Sequence, residues 1–138
     1  MLGEGDRLPE ITLLDDEGTE IATGALAGGP LVLYFYPKDD TPGCTSEASQ
    51  FRDIYEQFRK KNARIVGVSR DSVASHQRFK QKYSIPFTLL ADTDSKLYNA
   101  CGVSARTTFL FDENGRVTKV WPKVKVGEHA EEVLASLP

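Results

Sequence analysis

The stretch Leu31-Val32-Leu33-Tyr34-Phe35-Tyr36 is followed directly by Pro37-Lys38-Asp39-Asp40-Thr41-Pro42-Gly43-Cys44-Thr45. Six consecutive apolar or aromatic residues, without polar alternation, are the pattern of a strand covered on both faces in the interior of a sheet. Gly28-Gly29-Pro30 opens this strand and Pro37 closes it. Beyond the polar loop, Phe51, Ile54, Tyr55 and Phe58 recur at steps of three and four, which predicts an amphipathic helix over Ser46–Lys60. Arg64–Ser69 reads as the next buried strand, and Ser72–Tyr83 as a helix stopped by Ile85-Pro86. Strand, helix and strand in this order imply parallel pairing.

On the amino-terminal side, Ile11–Leu14 and Glu20–Ala22 predict an edge hairpin around the turn Asp15-Asp16-Glu17-Gly18. Phe87–Leu90 predicts a short strand and Ser95–Cys101 a short helix. Thr107–Phe111 and Arg116–Trp121 predict a hairpin turned at Asp112-Glu113-Asn114-Gly115, and Glu128–Leu137 a closing helix. The expected fold class is α/β, a mixed central sheet with helices on both faces, the arrangement of thioredoxin-like domains. No repeat, low-complexity tract or linker divides the chain, so residues 1–138 are expected to form a single domain.

A formal net charge of -3, with Lys and Arg scattered among Asp and Glu, argues against nucleic acid or an anionic lipid surface as partner. No apolar stretch is long enough to span a bilayer, and Met1–Arg7 has no basic segment leading into an apolar run. The expectation is a cytoplasmic protein without a membrane partner. Cys44 and Cys101 are too few for a secreted disulfide scaffold, and with His76 and His129 they show none of the short paired spacings of zinc sites. No metal is expected.

Open α/β sheets place their sites beyond the carboxyl ends of the strands, and Cys44 lies there. Thr41 is a candidate N-cap and Pro42 suits the first helical turn, so Cys44 falls in that turn. Unpaired N–H groups and the helix dipole favour an anion at this place, and the thiolate is the nucleophilic form of cysteine. Asp39 and Asp40 oppose a thiolate by repulsion, so a compensating cation is required; spacing alone does not name it. The Thr41 hydroxyl, one helical turn from the sulfur, is the local hydrogen-bond donor. The competing reading of Cys44 is a small packed residue without chemistry. His76 and His129 read as solvated surface residues, and Trp121 and Tyr34-Phe35-Tyr36 as packing.

Pro37, Thr41 and Cys44 match the P-x-x-x-T-x-x-C pattern of peroxiredoxins. The run Phe35–Ala48 resembles the peroxiredoxin Q, or bacterioferritin comigratory protein, branch. The likeness continues through Phe51-Arg52-Asp53, Gly67-Val68-Ser69, the Asp71-Ser72 and Ser75-His76 stretch, Gly102-Val103, Arg106-Thr107-Thr108-Phe109-Leu110 and Val124-Lys125-Val126, so it spans nearly the whole chain. It implies a thioredoxin fold in which Cys44 attacks a peroxide and becomes a sulfenic acid. Thr41 would hydrogen-bond the peroxide, Arg106 would supply the missing cation, and Pro37 would shield the sulfur from water. Glu47 matches a family glutamate near the site; an exposed first-turn carboxylate is the alternative reading of its position. The resemblance implies no metal, haem or flavin, a substrate among hydrogen peroxide and small organic hydroperoxides, and a monomer.

Many members of the branch carry a resolving cysteine five residues after the first, where this chain has Ser49. Others carry it on the following helix, near Lys80. A natural and an engineered serine at 49 are both compatible with this. Cys101 is the remaining partner, but the family resembled usually has an aromatic residue before this Gly-Val, which implies a packed position, so an external thiol is expected: thioredoxin, glutaredoxin or a low-molecular-weight thiol. A thiol–disulfide oxidoreductase is disfavoured because the loop lacks Cys-x-x-Cys. The reading from a different class is a non-enzymatic thioredoxin-like module that senses oxidation or binds a partner.

Overall fold

The computed structural model describes all of Met1–Pro138. The buried run forms β3, Leu31–Phe35, with every residue inside. It pairs in parallel with β4, Arg64–Ser69, and antiparallel with β6, Thr107–Phe111. β4 pairs in parallel with β5, Thr88–Ala91, and β6 continues to β7, Val117–Trp121. The hairpin of β1, Thr12–Asp15, and β2, Glu20–Ala22, completes a seven-stranded sheet in the order β2-β1-β5-β4-β3-β6-β7. β1 and β5 each lie one residue later than hydrophobicity suggested, because the ladder Leu14↔Ala91 and Asp15↔Leu90 sets their ends.

Side-chain alternation along β3 splits the core in two. Val32, Tyr34 and Tyr36 face one layer; Leu31, Leu33 and Phe35 face the other. The first layer is closed by α1 (Pro42–Asp53), α2 (Tyr55–Lys60), α3 (Val73–Tyr83) and α5 (His129–Ala135). The second is closed by α4, Lys96–Cys101, with β1 and a 3-10 turn at Thr23–Leu26 that the sequence did not signal.

The helix expected over Ser46–Lys60 is two helices. It begins four residues earlier, at Pro42, and breaks at Ile54 (φ −118°, ψ 18°). The apolar stripe runs unbroken through Ile54, so periodicity could not reveal the break. Phe51 and Phe58 would rise about 10.5 Å apart along a straight helix, yet their ring centroids lie 5.9 Å apart in the core. The terminal helix is also shorter than expected, His129–Ala135. α3 starts at the Ser72 cap, whose hydroxyl accepts the Ser75 N–H at 3.1 Å.

The antiparallel register sets Phe35 opposite Thr107, while the parallel register sets it opposite Val68. The loop after β3, the loop after β4 and the residues just before β6 therefore meet at one edge of the sheet. Helix α1 starts at this edge.

Candidate active site

Cys44 is the third residue of α1 and is 1% exposed. Pro42 occupies the first helical turn and Thr41 has the extended backbone of an N-cap, φ −105° and ψ 156°. Its side chain does not cap the helix, however. The Thr41 hydroxyl donates to the Lys38 carbonyl at 2.8 Å and tightens the preceding turn. Pro37 is exposed on this loop.

Arg106 reaches the site from the residue before β6. Its Nη2 lies 3.3 Å from Cys44 Sγ, and Nη1 donates to Glu47 Oε1 at 2.7 Å. Glycine at 43 leaves room for this approach: a Cβ there would stand 3.1 Å from Nη2, a tight contact that the guanidinium would have to relieve by a small shift. Glu47 is buried on α1, one turn beyond Cys44, which rules out the exposed-carboxylate reading. Burial pushes its pKa up to about 7 against the opposing pull of Arg106. Burial also works against the Arg106 charge, but Glu47 and Cys44 more than offset this and hold it above the ordinary arginine value. Glu47 Oε2 is buried without a hydrogen-bond partner.

The two loop aspartates do not stand as free charges beside the sulfur. Asp39 is buried: Oδ1 accepts the Tyr36 hydroxyl at 2.7 Å, and Oδ2 accepts the Ser75 hydroxyl at 2.8 Å and lies 2.7 Å from His76 Nδ1. Its backbone N–H donates to Asp71 Oδ2 at 2.8 Å. Asp40, at φ +55°, pairs with Lys82 at 2.8 Å and accepts the Tyr83 hydroxyl on the outside. Helix α3 thus partners both. Beneath the loop, Tyr98 of α4 donates to the Tyr36 carbonyl at 2.7 Å.

His76 and His129 correct the surface reading. His76 is wholly buried and His129 is 1% exposed. His76 shares the inner face of α3 with Phe79 and Tyr83 at spacings of three and seven, a signal masked by neighbouring Gln77, Arg78 and Lys80. His129 sits edge-on between Trp121 and Phe51, with Nε2 2.8 Å from Thr108 Oγ1. Burial, then the Arg106 charge, lowers its pKa to about 4.

Cys101 belongs to the opposite core layer from Cys44, packed with Phe35 and Phe109. Burial, and then Asp92, pushes its thiol pKa up to about 12, which disfavours the thiolate. Ser49 is half-buried on α1, and Lys80 is paired with Asp16 at 3.1 Å. The clefts of about 490 and 590 Å³ open at the far end of β3, around Gly29, Pro30 and Asn62, and neither includes Cys44. A peroxide needs no large cavity.

The family model of the AhpC/TSA family matches residues 4–120. The chain belongs to the AhpC/TSA family. Its relatives within that family are peroxiredoxins. The putative peroxiredoxin Bcp of Coxiella burnetii is 47% identical, covering 96% of this chain and 97% of the relative. Peroxiredoxin Bcp of Bacillus subtilis is 43% identical, covering 96% and 93%. The Xanthomonas campestris bacterioferritin comigratory protein, studied for alkyl peroxide reduction, superposes with a TM-score of 0.91 at 40% identity, covering 96% and 97%. This AhpC/TSA member is accordingly a thioredoxin-fold thiol peroxidase of the Bcp/peroxiredoxin Q type, and the non-catalytic module is not favoured. No helix is long and apolar enough to cross a membrane.

Proposed function

We propose that Cys44 is the peroxidatic cysteine and that Arg106, Thr41, Glu47 and Pro37 assist it. The observation that carries this is the guanidinium of Arg106 at 3.3 Å from Sγ. The Cys44 thiolate attacks one oxygen of hydrogen peroxide or a small organic hydroperoxide. The O–O bond breaks, one oxygen stays on sulfur as a sulfenic acid, and the other takes up a proton and leaves as water or an alcohol. Arg106 stabilises the negative charge on sulfur and on the departing oxygen. The Thr41 hydroxyl, with its proton on the Lys38 carbonyl, offers lone pairs to the peroxide O–H. To Pro37, exposed on the same loop, we assign the shielding of the sulfur from water. No step calls for a metal or an organic cofactor.

The sulfenic acid is then reduced by an external thiol: thioredoxin, glutaredoxin or a small thiol. This reading is supported by Ser49, by Lys80 and by the place of Cys101 in the other core layer. We read residues 1–138 as one domain acting as a monomer, since only Met1 and Leu14 are exposed large apolar residues. A cytoplasmic setting suits two free, buried cysteines.

Stopped-flow oxidation of the protein by hydrogen peroxide tests the first half. Wild type is expected to react orders of magnitude faster than a free small thiol, and Thr41→Val at least about tenfold slower than wild type. Equal rates for wild type and free thiol would sink the peroxidase reading. Mass spectrometry after one equivalent of peroxide is expected to show a Cys44 sulfenate trapped by added thiol; a 44–101 disulfide would refute the external route.

The pH dependence follows from Glu47. Below about 7 the carboxyl is protonated and its charge no longer holds Arg106; above that value the ion pair is complete. The oxidation rate is expected to rise severalfold across this range from Glu47, in addition to ionisation of the nucleophile. Glu47→Gln should remove that inflection, as a pH profile of the two proteins would show.

A further inference from the structure

We propose that His76, held as an imidazolium against Asp39, is a positioning residue that sets the turn carrying Thr41 and Cys44 for attack on peroxide. This rests on the peroxidase reading above and names a residue that never touches the reacting atoms.

The proton count comes from the geometry. His76 Nε2 lies 3.0 Å from the Leu90 carbonyl, which can only accept, so this nitrogen carries a proton. Nδ1 lies 2.7 Å from Asp39 Oδ2. Asp39 already accepts the Tyr36 hydroxyl on Oδ1 and the Ser75 hydroxyl on Oδ2, and donors on both oxygens favour the carboxylate. The shared proton therefore resides on Nδ1, and the ring carries both protons. The pair is buried on both sides, His76 at 0% and Asp39 at 4% side-chain exposure, so neither charge has water as an alternative partner.

Its place in the chain gives it a task. Asp39 lies between β3 and the Thr41 turn, and its backbone N–H is held by Asp71, itself fixed by the Ser69 hydroxyl at 2.6 Å. His76 is anchored to β5 through Leu90. The ion pair thus ties the loop to α3 and to the sheet, on the side away from Arg106. Lys38, whose carbonyl receives the Thr41 hydroxyl, is the residue just before Asp39. Rotating Asp39 out of its place displaces that carbonyl, and with it the Thr41 lone pairs.

Removing one charge strands the other, whereas removing both leaves none unpaired. His76→Gln and Asp39→Asn are each expected to slow Cys44 oxidation by about tenfold or more, and the double variant to be faster than either single one. Ser75→Ala, a milder change, should slow it about two- to fivefold. In wild type, nitrogen-edited NMR should show two ring N–H protons on His76 at neutral pH, and the amides of 38–41 should exchange faster in Ser75→Ala.

Single variants that match wild type, losses that simply multiply in the double variant, or one ring proton on His76 would overturn the proposal. Should the buried variants not fold, Ser75→Ala and the ring protons still decide it. A wild type as slow as a free thiol would instead overturn the peroxidase reading, while NMR and amide exchange continue to report on the ion pair.

Discussion

Arg106→Ala is expected to slow oxidation of Cys44 by hydrogen peroxide by about two to three orders of magnitude, the usual cost of removing a donor aimed at developing negative charge. Arg106 is the only group bonded to Sγ, at 3.3 Å, and the sulfur-bearing residue is 1% exposed, so little solvent competes with this contact. The same change strands Glu47, whose side chain is 1% exposed and has no second partner. A buried unpaired carboxylate costs about 3–5 kcal/mol if it stays charged, so Glu47 is expected to take up a proton at neutral pH and lose less. Arg106→Ala with Glu47→Gln separates the two effects. Stability should recover in the double variant, while the oxidation rate should stay at the level of Arg106→Ala. Recovery of the rate would mean that Arg106 serves the fold rather than the sulfur.

Phe51→Ala carries the largest expected loss of stability, about 3–5 kcal/mol, as for other fully buried aromatic truncations. Phe51 is 0% exposed, and its ring packs on Tyr34 at 5.0 Å, Phe58 at 5.9 Å, Phe87 at 6.4 Å and His129 at 5.9 Å. These contacts join α1 to β3, α2, the start of β5 and α5. The ring lies two turns beyond Cys44 on the same helix, so its loss also frees the turn that buries the sulfur. Denaturant unfolding should show a lower midpoint with an unchanged slope, and alkylation of native Cys44 should become faster. A loss below about 1 kcal/mol would show that the layer repacks around the missing ring.

Helices, strands and the place of Cys44 were legible because each depends on neighbours within a few residues. The unbroken apolar run at 31–36, the three-four spacing at 51–58 and the Thr41-Pro42 start carry their own geometry. Two features within this range still escaped. The break at Ile54 preserves side-chain periodicity while changing the backbone, and the inward face of α3 was obscured because His76 is polar. A polar residue in step with Phe79 and Tyr83 is a core position that needs a partner, and Asp39 is 37 residues away.

Local spacing therefore encodes the order of elements, the helix start that holds Cys44, and the need for a cation beside two aspartates. How that need is met depends on contacts between distant segments. The antiparallel register of β3 with β6 brings Arg106 to a sulfur 62 residues earlier, while α3 takes up both aspartates. The same sheet turns Cys44 and Cys101 to opposite layers. Strand register and sheet face are set by packing between distant segments, and no local spacing encodes them.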